Sequence, residues 1–510
     1  MEDLSKIVEN RRLPVDIDVH SYMLDHCVEE NAVLPAVETM QVLAASVKAL
    51  KPDADVDCML DARFDKFLYV QPGSKHIAAI SDIAFHENGD ITARLLTKAK
   101  SKKTSITRVK EHASIRFSQN ERHIRHLPLD LASSLEGIAF DVPVDKIYRD
   151  LVPFGPAYRN IRDILRISED GAIANIRARV NSFDRDMPRV LGSPFPLDAA
   201  FHAACVWGQR FARFVAFPVG FEKRVIFKRL CSGEDYIGRV IPVRAESDLL
   251  VVDIWIYDPE GVLFEAVSGI LMRDVSAGRM KPPQWVVAEG LENESGGIVN
   301  GHHVLSLIEL STVMPFAEKV LSEIELKRFG KMGSKRRSSY LAARLACKRL
   351  ARKLSRNDMD TAATAISTVC PDLVRPCCPL TDGSKPFMCA ASHDNRFAVA
   401  VASRQRIGVD VERASEKVLK CQDLYMREEE KALVKGSYLG KIESSLRVWS
   451  TKEAVCKALN TNLADAWKRV IVTHIGRDES HAGIDNKDGY VVSHGTVDQH
   501  LFTIIEMPVI

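Results

Sequence analysis

The sequence lacks any long apolar run: nowhere in its 510 residues does it approach the roughly 20 consecutive apolar side chains that a membrane-spanning helix needs. It also lacks C-x-x-C spacing among its 11 cysteines, which removes the usual signatures of zinc ribbons and thiol redox sites. Cys205 and Cys456 sit inside apolar periodic stretches where buried thiols are expected, and Cys377 and Cys378 read as loop thiols. An excess of one charge is missing too. Lys+Arg 70 against Asp+Glu 68 leaves a formal net charge of +2, which argues against general nucleic-acid binding. Met1 to Pro14 contains no apolar core of the kind a secretory signal carries, so the expected location is the cytoplasm, with no membrane partner.

Present instead is ordinary globular material, 46% hydrophobic and 27% charged, in a chain too long for one hydrophobic core to serve. Two or three domains are expected. The densest signal lies near the end. Ile407-Gly408-Val409-Asp410-Val411-Glu412 reads as a buried strand, apolar at Ile407, Val409 and Val411, so period-2 geometry puts Asp410 and Glu412 together on its other face. Trp449-Ser450-Thr451-Lys452-Glu453-Ala454-Val455-Cys456-Lys457 reads as a helix in which Glu453 and Lys457, four residues apart, share a face. Three carboxylates with room for water and phosphate suit Mg²⁺. Taken singly, paired acids on a strand are commonly its solvated face, and a Glu with a Lys four residues on is commonly a surface pair.

The two pieces in this order resemble the signature of the surfactin-type 4′-phosphopantetheinyl transferases, which move phosphopantetheine from coenzyme A to a serine of an acyl carrier protein. The resemblance implies a pseudo-twofold α+β fold, Mg²⁺ on Asp410, Glu412 and Glu453, and Glu453 and Lys457 as catalytic residues. It extends upstream. A helix with Leu341, Leu345, Leu350 and Leu354 on one side and Arg344, Lys348, Arg352 and Arg356 near another matches the family's phosphate-holding helix at Arg344 and Lys348. Gly383-Ser384-Lys385-Pro386 and Ala391-Ser392-His393 resemble its coenzyme A contacts, which implies roles for Lys385, Ser392 and His393.

Earlier in the chain a helix opens after Pro35 with Ala36, Val37, Met40, Leu43, Ala44 and Val47 in 3.6-residue period, and strands are expected over Arg63 to Val70 and Ser81 to Ala99, the latter turning at Glu87 to Asp90. A similar plan begins after residue 150: a helix over Leu197 to Phe214, then Ser247 to Tyr257, a turn at Asp258 to Gly261, and Val262 to Asp274. Helix then strands, twice, predicts a duplicated α+β unit. The basic run Lys98 to Lys110 reads as a solvated loop.

His26 nine residues before Pro35, Gly155-Pro156-Ala157-Tyr158 after a Phe, and Asp198 one helical turn before His202 resemble the motifs of polyketide synthase dehydratase domains, whose fold is a double hotdog. That resemblance implies His26 as the base and Asp198 as the acid in dehydrating a carrier-bound 3-hydroxyacyl chain; related product-template domains use a similar pair for cyclisation. Three positions depart from the family: Glu30 and Ala36 replace Gly, and Tyr158 replaces Phe. A Glu where Gly permits positive φ or close approach calls the loop shape beside His26 into question. The expected division is residues 1–275 dehydratase-like, 276–300 linker, where Gly, Pro and Asn concentrate, and 301–510 transferase. Two functions are carried forward: a bifunctional enzyme, and a transferase whose N-terminal unit is a docking or product-template-like module.

Overall fold

The computed structural model describes all residues except 1–5, 101–106, 121, 181–188, 289–302, 314, 356–360, 370–386, 486 and 509–510. It divides into two compact units: Met1–Leu129 with Phe140–Glu289, and Asp130–Ala139 with Gly290–Ile510.

The first unit is built on a 12-stranded antiparallel sheet. In chain order its strands are β1 (Ile7–Asp18), β2 (Cys58–Arg63), β3 (His76–His86), β4 (Ile91–Lys100), β5 (Thr107–Phe117), β6 (Phe140–Pro143), β7 (Ile161–Ser168), β8 (Gly171–Arg177), β9 (Phe217–Ile226), β10 (Asp235–Ala245), β11 (Leu249–Tyr257) and β12 (Leu263–Arg273). They lie in the order β1-β3-β4-β5-β2-β9-β12-β11-β10-β8-β7-β6. Helix α1 (Ala36–Leu50) falls between β1 and β2, and α2 (Phe195–Trp207) between β8 and β9. Read outward from the central β2–β9 pair, each half runs through the strand after its helix, then the last, middle and first of the next three, then the strand before its helix. The duplication is thus written in the topology, and each half is a helix on an antiparallel sheet: a double hotdog. α1 buries Val37, Met40, Leu43, Ala44 and Val47 as its period requires, whereas every residue of α2 is buried, the pattern of a central core helix.

Two sequence expectations are corrected here. The strand expected over Arg63 to Val70 lies instead at Cys58–Arg63, where it pairs with β5 and β9. Residues 64–70 leave the sheet and give their backbone to the segment after His26, Leu34 N–H donating to Leu68 carbonyl and Val70 N–H to Ala32 carbonyl. The basic run is not a loop at its ends: Lys98 pairs with Val109 and Lys100 with Thr107 as arms of the β4–β5 hairpin, with 101–106 outside the described residues.

The second unit holds β13 (Val304–Glu309), helix α3 (Ser334–Leu354), β14 (Met388–His393), β15 (Phe397–Ser403), β16 (Arg406–Arg413), helix α4 (Lys441–Leu459), β17 (Val470–Ile475), β18 (Glu479–Ile484), β19 (Lys487–Val497) and β20 (His500–Met507). Two sheets result, β13-β15-β14 and β16-β20-β19-β18-β17. In both, the strand before the helix pairs with the last strand of its half, the pseudo-twofold plan. Leu341, Leu345 and Leu350 of α3 pack with Ile308, Ala398 and Ala400, and Ala454, Val455 and Ala458 of α4 with Val470, Val492 and Ile505. Among the described residues no helix is long and apolar enough to cross a membrane.

Candidate active sites

In the first unit the functional side chains converge because three segments end at one place. A short helical turn, Ser21–Asp25, is followed by a tight hairpin whose two-residue strands are Cys27–Val28 and Asn31–Ala32. His26 stands between them. The turn residues Glu29 and Glu30 adopt φ of 47° and 65°, so the left-handed backbone that Gly would favour forms with Glu in its place; Glu30 is exposed, and Glu29 makes a double hydrogen bond with Arg279 at 2.8 and 2.9 Å. The loop Gly155–Tyr158 is fastened to the same turn. Gly155 N–H donates to Asp25 carbonyl, Ala157 N–H donates to Asp25 Oδ2 at 2.7 Å, and a Cβ at 155 would lie 2.4 Å from the Asp25 side chain, so the glycine is sterically required.

α2 then presents Asp198 and His202. His26 Nε2 is 3.9 Å from Asp198 Oδ1; His202 Nε2 approaches Asp198 Oδ2 at 3.0 Å, out of line for a hydrogen bond. Phe154 and Tyr158 enclose the His26 ring at centroid distances of 4.2 and 5.0 Å. Burial pushes the imidazole of His26 down to about 4, against the opposing pull of Asp198, so it is neutral at physiological pH. Nδ1 of His26, both ring nitrogens of His202 and Asp198 Oδ2 are buried without hydrogen-bond partners, and these groups line a cavity of about 760 Å³. Buried polar atoms of this kind normally have partners; here they face space that a polar ligand can fill. Arg63, Lys66, Lys110 and Arg273 line the same cavity.

In the second unit β16 presents Asp410 and Glu412 on one face, as its alternation requires, with Ile407, Val409 and Val411 in the core. α4 lies directly on this strand at Gly408, where a Cβ would stand 1.9 Å from the Ala454 carbonyl oxygen. That contact brings Glu453 and Lys457 over Asp410. Lys457 Nζ donates to Asp410 Oδ1 at 2.9 Å and Ser392 Oγ at 2.8 Å; Ser392 Oγ and Ser450 Oγ donate to the two Asp410 oxygens at 3.0 and 2.8 Å. Glu453 lies 3.9 Å from Lys457. Glu412 and Glu453 are both pushed up to about 7, by burial first and by the Asp410 charge second. Among the described residues, the three carboxylates outnumber the ammonium groups acting on them, Lys457 and, at Glu412, Lys417.

That donor set, three hard oxygen anions raising one another's affinity for positive charge, fits a divalent cation such as Mg²⁺. Among the described residues no three His, Cys, Asp or Glu side chains are already drawn into a coordination shell. His393 is pushed down by burial and then by Lys457, against the opposing pull of Asp394, with Arg336 and Arg344 adding to the lowering. Arg344 donates to Thr368 Oγ1 at 2.8 Å, and its Nε is buried without a partner.

The remaining sequence candidates fall outside this cluster. Lys348 does not reach it: the side chain is fully buried, ion-paired with Glu325 at 2.8 Å and donating to the carbonyls of Ala363 and Ile366, an internal strut rather than a phosphate ligand. Lys385 lies outside the described residues, as do Arg356, Cys377 and Cys378. Lys452, inside the helical motif, is likewise fully buried and bonded to Glu430. Sequence reasoning passed over Asp25, Arg336 and the role of Ser450 as a donor to Asp410. Ser450 lies inside the Trp449 to Lys457 motif, but nothing local marks Asp25.

The molecule therefore pairs a buried His–Asp pocket on a double hotdog with a carboxylate–ammonium cluster on a pseudo-twofold α+β unit. Residues 127–282 match the family model for the polyketide synthase dehydratase N-terminal domain, and residues 406–501 match that for the 4′-phosphopantetheinyl transferase superfamily. The chain carries a polyketide synthase dehydratase domain and a phosphopantetheinyl transferase domain. Solved structures similar to it include the dehydratase domain of a mycocerosic acid synthase-like polyketide synthase, at 16% identity over 53% of this chain and 93% of that one, TM-score 0.43. The dehydratase domain of RzxB from Pseudomonas fluorescens is 16% identical over 54% and 100%, TM-score 0.42. A trans-AT polyketide synthase dehydratase domain from Brevibacillus brevis is 18% identical over 53% and 95%, TM-score 0.43. No curated protein matches the chain.

Proposed function

We propose that the protein is a bifunctional cytoplasmic enzyme of polyketide or fatty acid synthesis. Its second unit transfers 4′-phosphopantetheine from coenzyme A to a serine of an acyl carrier protein, and its first unit dehydrates a 3-hydroxyacyl chain on that arm. The observation that carries the first activity is the meeting of Asp410, Glu412, Glu453 and Lys457, with Ser392 bonded to both Lys457 and Asp410. Glu453, or a water that it orients, takes the proton of the carrier serine as the serine oxygen bonds to the β-phosphorus of coenzyme A. The bond to the α-phosphate side breaks, and bisphosphoadenosine leaves with the electron pair. Lys457, Arg344 and His393 supply donors for the phosphates. Mg²⁺ on Asp410, Glu412 and Glu453 would neutralise charge on the pyrophosphate.

For the second activity the support is the unpartnered His26–Asp198–His202 group in a cavity large enough for an acyl thioester. Neutral His26 takes the proton α to the thioester, the β carbon–oxygen bond breaks, and Asp198 gives its proton to the departing hydroxyl, so that water leaves. The four cations along the cavity suit the phosphate of a pantetheine arm.

The test is a coenzyme A and Mg²⁺ incubation with an apo carrier protein, followed by intact-protein mass spectrometry, then the same with a carrier-bound 3-hydroxyacyl chain. Asp410→Ala and Glu453→Ala should abolish pantetheine addition, and His26→Ala should abolish water loss while sparing addition. Addition undiminished in Asp410→Ala would overturn the transferase assignment. Wild-type protein that primes but never dehydrates, in either assay order, leaves the first unit as a docking or product-template-like module.

A further inference from the structure

Residues 130–139 end the connection from β5 to β6, strands of the two halves of the first unit, yet they belong to the second. A passive crossing would be exposed and polar. This one buries Leu131 in the core of α3 and its sheet, and Ser133, Ser134 and Leu135 are wholly buried. The C-terminal half of α3 is organised around it. Arg349, itself 8% exposed, donates to the carbonyls of Leu131 and Ser134. Arg352 pairs with Asp130 at 2.9 Å, and Asp130 Oδ2 also accepts from Ala363 N–H at 2.9 Å. Lys353 pairs with Glu136.

The other end of the segment closes a sheet. β13 is an edge strand, and a bare edge leaves backbone groups seeking partners. Glu136 forms an antiparallel bridge to Ile308, Gly137 N–H donates to Leu307 carbonyl, and Ile138 packs on the cluster of Leu307, Phe397 and Val399. Gly137 takes φ of 89° to make the turn, a conformation costly for any other residue.

We propose that residues 130–139 are an integral structural element of the transferase unit, seating the helix that carries Arg336 and Arg344 and capping the edge of β13. The transferase is then complete only when the chain between the two hotdog halves is threaded through it, and residues from about 300 onward do not suffice. The consequence for pantetheine transfer rests on the transferase reading above; the structural claim does not. Detaching the segment takes the carbonyls of Leu131 and Ser134 from Arg349 and the Asp130 carboxylate from Arg352, and a buried charge that loses such partners is destabilising.

Two full-length variants test this. In one, residues 131–138 are replaced by Gly and Ser at equal length; in the other, Asp130→Asn removes the charge that Arg352 and the Ala363 N–H share. Hydrogen exchange read by mass spectrometry should show amides of α3 and β13 exchanging about tenfold faster or more in both, with β10, β11 and β12 unchanged. Adding a synthetic peptide of residues 127–142 to the Gly/Ser variant should restore protection in a saturable way. Unchanged exchange in α3 and β13 overturns the proposal, and should the Gly/Ser variant prove insoluble, the Asp130→Asn measurement alone decides by the same criterion. Faster exchange together with a wild-type protein inactive in pantetheine transfer would sink the transferase reading and leave this inference standing.

Discussion

Gly408→Ala is the sharpest test of how the transferase site is assembled. The added Cβ would sit 1.9 Å from the Ala454 carbonyl oxygen and 2.8 Å from the Ala458 nitrogen, both backbone atoms that no rotamer change can move. β16 cannot slide away, because it is paired with β20 from Arg406–Met507 to Arg413–His500. α4 must therefore retreat by roughly 1 Å, a forced overpacking that costs about 1–3 kcal/mol. For a unit of this size that is a fall of about 3–10 °C in Tm. Because the same helix carries Glu453 and Lys457 over Asp410, the retreat should lower the pantetheine transfer rate about a hundredfold. The assay is initial-rate mass spectrometry on an apo carrier protein beside calorimetry. Gly436→Ala, with nothing within 4 Å of its Cβ, is the control and should be silent in both. A Gly408→Ala protein with wild-type rate and melting would show that α4 does not take its position from β16.

Three further outcomes are expected. Glu30→Gly should raise the Tm of the first unit by about 1–3 °C, since it relieves a left-handed φ of 65° at an exposed residue, and should leave dehydration unaltered; a lower Tm would show that the Glu30 side chain contributes to the turn. Arg344→Ala should raise KM for coenzyme A about tenfold or more, with little change in melting, while Lys348→Ala should melt early because it strands buried Glu325; the reverse pattern in titration and calorimetry would exchange their roles. In metal-free protein Glu412 and Glu453, raised from 4.5 to about 7, hold more protons folded than unfolded, so stability should fall as pH rises from about 4.5 to 7. Mg²⁺ binds the deprotonated pair, so its stabilising effect should grow across pH 6 to 8, and a Mg²⁺-induced shift in Tm independent of pH would refute the three-carboxylate set.

Local order in the chain determined a good deal. Period 2 at Ile407 to Glu412 and period 3.6 at Ala36 to Val47 and Leu341 to Leu350 are consequences of strand and helix geometry alone, so the elements, their buried faces and the pairing of Asp410 with Glu412 were legible. Within the first unit His26 lies 3.9 Å from Asp198, and within the second Glu453 lies 3.9 Å from Lys457. Only tertiary packing decided the rest. Which cations of α3 are internal struts depends on whether a buried carboxylate lies opposite, as Glu325 does for Lys348. Asp25 acquires its part from a loop 130 residues away, and Arg349 from carbonyls more than 200 positions earlier. A periodic pattern records which face of an element is buried, but not which distant backbone supplies the acceptor there; for residues 130–139 that difference places one stretch of chain in a unit other than its sequence neighbours'.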